Sequence, residues 1–171
     1  MLANHTQGQT DRENRETCIR IAKELEAIAD GKMFRCPYCG NLYSLEDMEK
    51  ENPYKFDDDE TDETDDETDD ETDDERPHKC PHCDEEIDDP EQATMYDYFS
   101  GCFDIEYRIS GNGEFRSVEL CVACGGPNIY VDTGSQTVKL YWWSDRAEAP
   151  ILGAACDLID EEFEDLYRCT K

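Results

Sequence analysis

The apolar residues near the start of the chain recur at the spacing of an α-helix. Thr10 and Glu13 have the spacing of a capping box, in which each side chain accepts a hydrogen bond from an orphan backbone N–H. Beyond them an apolar stripe continues as far as Gly31, which is a typical helix stop. Its members are Cys18, Ile21, Ala22, Leu25, Ile28 and Ala29. The pattern predicts a helix over 11–31 after a disordered segment over 1–10.

From about residue 90 the pattern becomes a strict alternation of apolar and polar residues, which predicts half-buried strands. Turn sequences separate four such stretches, beginning with the hairpin signal Gly111-Asn112-Gly113. The first stretch sets Phe103, Ile105, Tyr107 and Ile109 on one side. A final amphipathic stretch with helical spacing starts at Leu152. We therefore expect the chain to be α+β, with residues 90–171 forming a four-stranded antiparallel sheet and a C-terminal helix.

Two Cys-x-x-Cys pairs carry the clearest chemical signal. Their members are Cys36, Cys39, Cys80 and Cys83. Such pairs turn both thiolates inward, and two pairs together complete a tetrahedral zinc shell. The sequences Cys36-Pro37-Tyr38-Cys39-Gly40 and Cys80-Pro81-His82-Cys83 resemble the two knuckles of zinc ribbons and rubredoxins. We expect residues 32–89 to form a zinc ribbon that holds one structural zinc ion.

One departure from the rubredoxin pattern bears on the metal. Asp84 stands where rubredoxins carry a glycine, which argues against an iron electron-transfer site. A closed shell of four cysteines leaves no open coordination position for a substrate. The chain also lacks a phosphate-binding loop, a nucleophile elbow and a zinc-protease motif. The sequence therefore predicts a protein that is not an enzyme.

An acidic tract separates the two knuckles. Residues 57–75 (the acidic tract) consist of acids and threonines only, and they supply about half of the net charge of −29. With no apolar residue to bury, the tract is expected to be disordered. The charge repels nucleic acid and anionic membranes, so the expected partner is a basic protein. Ten cysteines without a secretory signal indicate a reducing compartment, and we expect the cytoplasm.

Two further groups are candidate sites, each with an alternative. Cys121 and Cys124 could form a redox pair or a second metal site, or they could be structural thiols. Trp142 and Trp143 are adjacent, so one points away from the core. Either the N-terminal helix covers that second face, or Tyr141, Trp143 and Arg146 form a partner surface.

The segment 122–133 and the sequence Tyr141-Trp142-Trp143-Ser144-Asp145-Arg146-Ala147-Glu148 are similar to those of small acidic proteins from phages and other mobile elements. Some proteins of such elements are anti-CRISPR or anti-restriction factors that imitate DNA. The resemblance implies an inhibitor of a basic nucleic-acid-binding protein, such as a host-defence nuclease. A zinc-ribbon adaptor in a transcription or translation assembly, or a thiol redox protein, would be the alternatives. The alternative for the acidic tract is a solvated insertion with no specific partner. If the tract does bind, its candidate contacts are Asp65, Asp66, Glu67, Asp69, Asp70 and Glu71.

Overall fold

The computed structural model describes residues 4–44 and 78–170, so the acidic tract and its predicted disorder lie outside the described residues. The chain divides into two compact units. The first unit combines Met1–Met33 with Gln92–Lys171, and the second unit is Phe34–Glu91. The N-terminal helix thus belongs to the same unit as the C-terminal sheet.

The first unit contains three helices. Helix α1 spans Asn4–Ala29, so it begins inside the segment 1–10 that was expected to be disordered. Helix α2 is short, Met95–Phe99, and has a capping box between Thr94 and Asp97. Helix α3 spans Gly153–Cys169 and packs against both other helices.

The second unit contains small β-structure around the cysteine pairs. Strand β1 (Met33–Arg35) lies between β2 (Leu42–Ser44) and β5 (Glu91–Gln92) in a three-stranded sheet. Strands β3 (His78–Lys79) and β4 (Glu86–Ile87) form an antiparallel pair. Each cysteine pair therefore sits in the connection between two short neighbouring strands.

The large sheet of the first unit is antiparallel and has five strands, in the order β10-β9-β8-β7-β6. Its members are β6 (Asp104–Ile109), β7 (Phe115–Ala123), β8 (Asn128–Asp132), β9 (Thr137–Trp142) and β10 (Asp145–Pro150). The α+β class is confirmed, but the expected number of four strands is wrong. The missing strand, β10, places only two alanines in the core and ends at a proline, so its sequence carries little strand signal.

The two faces of this sheet differ in chemistry. One side (the apolar face) contributes Val118, Leu120, Ile129, Val131, Val138, Leu140, Ala147 and Ala149 to the core. The stripe of α1 that begins at Cys18 is buried as well, and α1 contacts β9, β10 and α3. The helix therefore packs on the apolar face and not, as one alternative held, on the second face. That second side (the polar face) carries Arg108, Glu119, Cys121, Tyr130, Asp132, Lys139, Tyr141 and Arg146.

Two expected core positions differ in the structure. Trp143 lies in the turn between β9 and β10 and is almost fully exposed, so it belongs to neither face. The edge strand β6 and the residue before it were expected to bury Phe103, Ile105 and Ile109, but these side chains are exposed. None of the described helices has the length and apolar character needed to span a lipid bilayer.

Candidate metal centre

The two cysteine knuckles have the same backbone hydrogen bonds. In the first, Gly40 N–H donates to the carbonyl of Cys36, and Cys36 N–H donates to the carbonyl of Asn41, both at 2.9 Å. In the second, Asp84 N–H donates to Cys80 at 3.0 Å, and the Cys80 N–H donates to Glu85 at 2.9 Å. Each pattern is complete within six residues, so the hydrogen bonds that shape each knuckle are local in sequence.

The knuckles bring four sulfur atoms together. The Sγ atoms of Cys36, Cys39, Cys80 and Cys83 all lie within 4.8 Å of one another. The distance is 3.8 Å both between Cys36 Sγ and Cys83 Sγ and between Cys39 Sγ and Cys80 Sγ. The first cysteine of each pair is buried, whereas Cys39 is exposed and Cys83 is half-buried. The four residues predicted from the sequence are thus the ones that the fold brings together.

The electrostatics of the cluster favour a bound cation. Burial raises the pKa of Cys36, yet the backbone N–H groups of Cys39 and Tyr38 stabilise its thiolate and bring the pKa down to about 7. The N–H of Glu85 favours the Cys83 thiolate, but burial and the three neighbouring cysteines raise its pKa to about 12. Four thiolates this close repel one another unless a positive ion neutralises them. The site could therefore hold a metal ion with all four thiolates ionised.

Residues that the cysteine spacing could not reveal complete the site. Tyr43 is 1 % exposed and packs with Phe34 and Ile87 around the buried cysteines. Its hydroxyl has no hydrogen-bond partner among the described residues. The ring Nε2 of His82 lies 3.2 Å from the backbone carbonyl of Leu42 and so links the second knuckle to β2. In the sequence, Tyr43 is marked only by its position shortly after the first knuckle. Its burial is seen only in the structure.

The third cysteine pair, Cys121 and Cys124, does not show the features of a redox site. Cys121 is buried on the polar face, and its Sγ lies 3.4 Å from the carbonyl of Ala123, to which it donates. Burial, and then the charge of Cys124, raise the pKa of Cys121, which lowers its thiolate fraction. Cys124 is exposed beyond a bulge in β7. This arrangement favours structural thiols.

The other predicted site residues are only partly brought together. Arg146 lies over the ring of Tyr141, with its Cζ 5.6 Å from the ring centroid. Trp143 projects from the neighbouring turn. The six acidic candidates of the tract, Asp65, Asp66, Glu67, Asp69, Asp70 and Glu71, lie outside the described residues.

A charged cluster on the polar face was not predicted. The side chain of Asp132 is 2 % exposed and accepts hydrogen bonds from Arg108 at 2.6 and 3.0 Å and from Lys139 at 2.5 Å. Glu119 also pairs with Arg108, at 3.1 Å. The cluster joins four neighbouring strands, β6, β7, β8 and β9, and its charges balance. It stabilises the sheet and leaves no cation free for a ligand.

The chain matches no protein-family model, and neither a curated protein nor a solved structure matches it. The resemblance to acidic proteins of phages and other mobile elements therefore stays a prediction.

Proposed function

We propose that this chain is a structural zinc protein whose acidic surface binds a basic, nucleic-acid-binding protein. The observation that carries the first half is the tetrad of sulfurs. Ligands about 2.3 Å from a central zinc ion lie about 3.8 Å from one another in a regular tetrahedron. The Sγ–Sγ distances from Cys36 to Cys83 and from Cys39 to Cys80 are both 3.8 Å.

The chemistry of four cysteines supports a structural role. Thiolate ligands favour zinc, and a complete four-sulfur shell excludes a substrate from the metal. What zinc supplies is a cross-link between the two knuckles, which stand 41 residues apart at Cys39 and Cys80. The other residues of the second unit hold the four cysteines in position, and Cys36 and Cys80 are buried among them.

The second half of the proposal rests on charge. A net charge of −29 over 171 residues disfavours nucleic acid and favours a basic surface. If the acidic tract is extended, its spacing of about one charge per 4 Å resembles that of a single nucleic-acid strand, at about 3.4 Å per charge. The chain would then inhibit its partner by occupying a nucleic-acid channel.

Metal analysis tests the zinc site. We expect the purified protein to carry one zinc ion per chain, and the Cys80→Ser variant to lose it. Amide hydrogen exchange should then speed up across residues 34–44 and 78–91, because the cross-link is gone. Cys169→Ser, at an exposed cysteine of α3, is the matched control and should keep the metal. A Cys80→Ser variant with full zinc content and wild-type exchange would contradict the proposal.

Capture from a lysate of the source organism tests the partner. The bait proteins are the wild type and a variant in which a Gly/Ser linker replaces residues 57–75. We expect the wild type to retain a basic nucleic-acid-binding protein that added salt or DNA releases. Loss of that protein from the linker variant would assign binding to the tract. Capture that ignores both salt and DNA would contradict the mimicry.

A further inference from the structure

An exposed tryptophan forms the tip of the hairpin between β9 and β10. Trp142 pairs with Asp145, so the connecting loop consists of Trp143 and Ser144 alone. Trp143 has a φ of 54° and is 94 % exposed. The tight loops of such hairpins need positive φ and normally use Gly or Asn there, because a bulky side chain is strained. At that exposure the indole buries almost no surface against the described residues.

The base of this hairpin is well ordered by packing. The Trp142 ring lies so close to Gly126 that a Cβ on that glycine would be 2.4 Å from Trp142 Cζ3. On the polar face, Arg146 lies over Tyr141, whose ring meets Tyr130 edge-to-face at a centroid distance of 6.0 Å. The exposed indole of Trp143 therefore projects from a closely packed hairpin base.

Charge beside the tip indicates what could cover it. A cleft of about 530 Å³ lies between α1 and β10, and Ser144 is among its lining residues. Three carboxylates and two guanidinium groups also line it. The charged lining residues are Asp11, Asp145, Glu148, Arg15 and Arg146. Carboxylates outnumber cations here as they do over the whole chain. Such a surface complements a basic protein, and Trp, Tyr and Arg together have the composition of an interface hot spot.

We propose that Trp143 is the anchor by which this chain docks on a basic protein. The indole fills an apolar pocket of that protein, and the carboxylates around the cleft face its Lys and Arg side chains. This inference rests on the proposed function, which supplies the basic partner, and adds the docking surface. Strain at the hairpin tip is thus retained for binding, as strained backbone often is at functional sites.

The test replaces Trp143 with glycine, which the backbone at this position favours. Trp143→Gly should melt no lower than the wild type, because it relieves the positive φ. The matched control is Gln136→Gly, which relieves a φ of 53° at an exposed position in the turn between β8 and β9. In parallel captures from the lysate, the wild type and Gln136→Gly should retain the same basic protein. Trp143→Gly should bind that protein, once purified, at least tenfold more weakly.

Fluorescence gives a direct readout, since the chain has two tryptophans. In a Trp142→Phe variant Trp143 is the remaining indole, and its emission should shift to shorter wavelength when the captured protein is added. Equal affinity of Trp143→Gly and wild type, or an unchanged emission, overturns the inference and leaves the proposed function standing. Failure of the wild type to retain any basic protein overturns the proposed function and the inference with it. If Trp143→Gly instead abolishes a wild-type dimer in sedimentation, the occupant is a second copy and the inference is wrong.

Discussion

The two knuckles differ at the residue that closes each turn. Gly40 and Asp84 occupy equivalent positions, and both have left-handed backbone, with φ of 73° and 57°. Glycine takes this conformation without strain, whereas an aspartate does so at some cost. The aspartate also adds negative charge beside four thiolates. The second knuckle is therefore the weaker half of the site.

Substituting Asp84 tests this difference. We expect Asp84→Gly to stabilise the zinc-bound second unit by about 0.5–1 kcal/mol, measured as tighter zinc retention against a chromophoric chelator. Gly40→Ala should weaken retention by about 1 kcal/mol, and backbone alone is the cause, since an added Cβ meets nothing within 4 Å. Asp84→Asn removes only the charge. If it tightens retention as much as Asp84→Gly, the carboxylate and not the backbone is responsible.

At the scale of the elements, the charged cluster of the polar face ties the strands together. Burial raises the pKa of Asp132, but hydrogen bonds from Arg108 and Lys139 outweigh it and hold the pKa well below its usual range. A carboxyl with a depressed folded-state pKa contributes stability above its unfolded value, about 3.9, and loses it as the pH falls further. The sheet should therefore lose stability in acid.

Urea unfolding followed by tryptophan fluorescence tests the cluster. At pH 7 we expect Asp132→Asn to lower the free energy of unfolding by about 2 kcal/mol. This is less than for a fully buried pair, because Arg108 is 40 % exposed. As the pH falls below about 4 the wild type should lose this advantage progressively, so the difference between the two proteins shrinks. The control, Asp157→Asn at an exposed position of α3, should change little at either pH. A difference as large at pH 2 as at pH 7 would show that the effect is not ionic.

The sequence predicted some elements and missed others for identifiable reasons. The stripe of α1 and both knuckles follow from residue spacing, because their contacts are local. Strand β10 was missed because Ala147 and Ala149 are its buried residues and neither favours a strand. The cluster around Asp132 depends on the register of β6, β7, β8 and β9, which alternation alone does not fix.

At the scale of the whole molecule, repulsion between like charges lowers the stability of the native state. Acids outnumber bases by 29, and folding of a compact unit brings its like charges closer together than they are in an expanded chain. The exposed ion pairs, such as Arg12 with Glu16, offset little of this repulsion. Salt should therefore stabilise the native state.

Calorimetry at different ionic strengths tests this expectation. Between about 10 and 150 mM NaCl the screening length falls from about 30 to 8 Å, and we expect the Tm to rise. A chain whose residues 57–75 are replaced by a Gly/Ser linker has 15 fewer negative charges, so its Tm should rise less. A Tm that falls with salt would mean that the ion pairs outweigh the general repulsion.

The self-contained knuckles also determine how the site is assembled in time. Each knuckle closes its hydrogen bonds within six residues, and local turns of this kind form in microseconds. Cys39 leaves the ribosome 41 residues before Cys80, which at about 5–20 residues per second is a delay of about 2–8 s. If the site holds zinc, the first pair of thiols would be available to it during that interval and could bind an ion through two sulfurs. The second pair would complete the shell later, so we expect the order of synthesis to set the order of metal coordination.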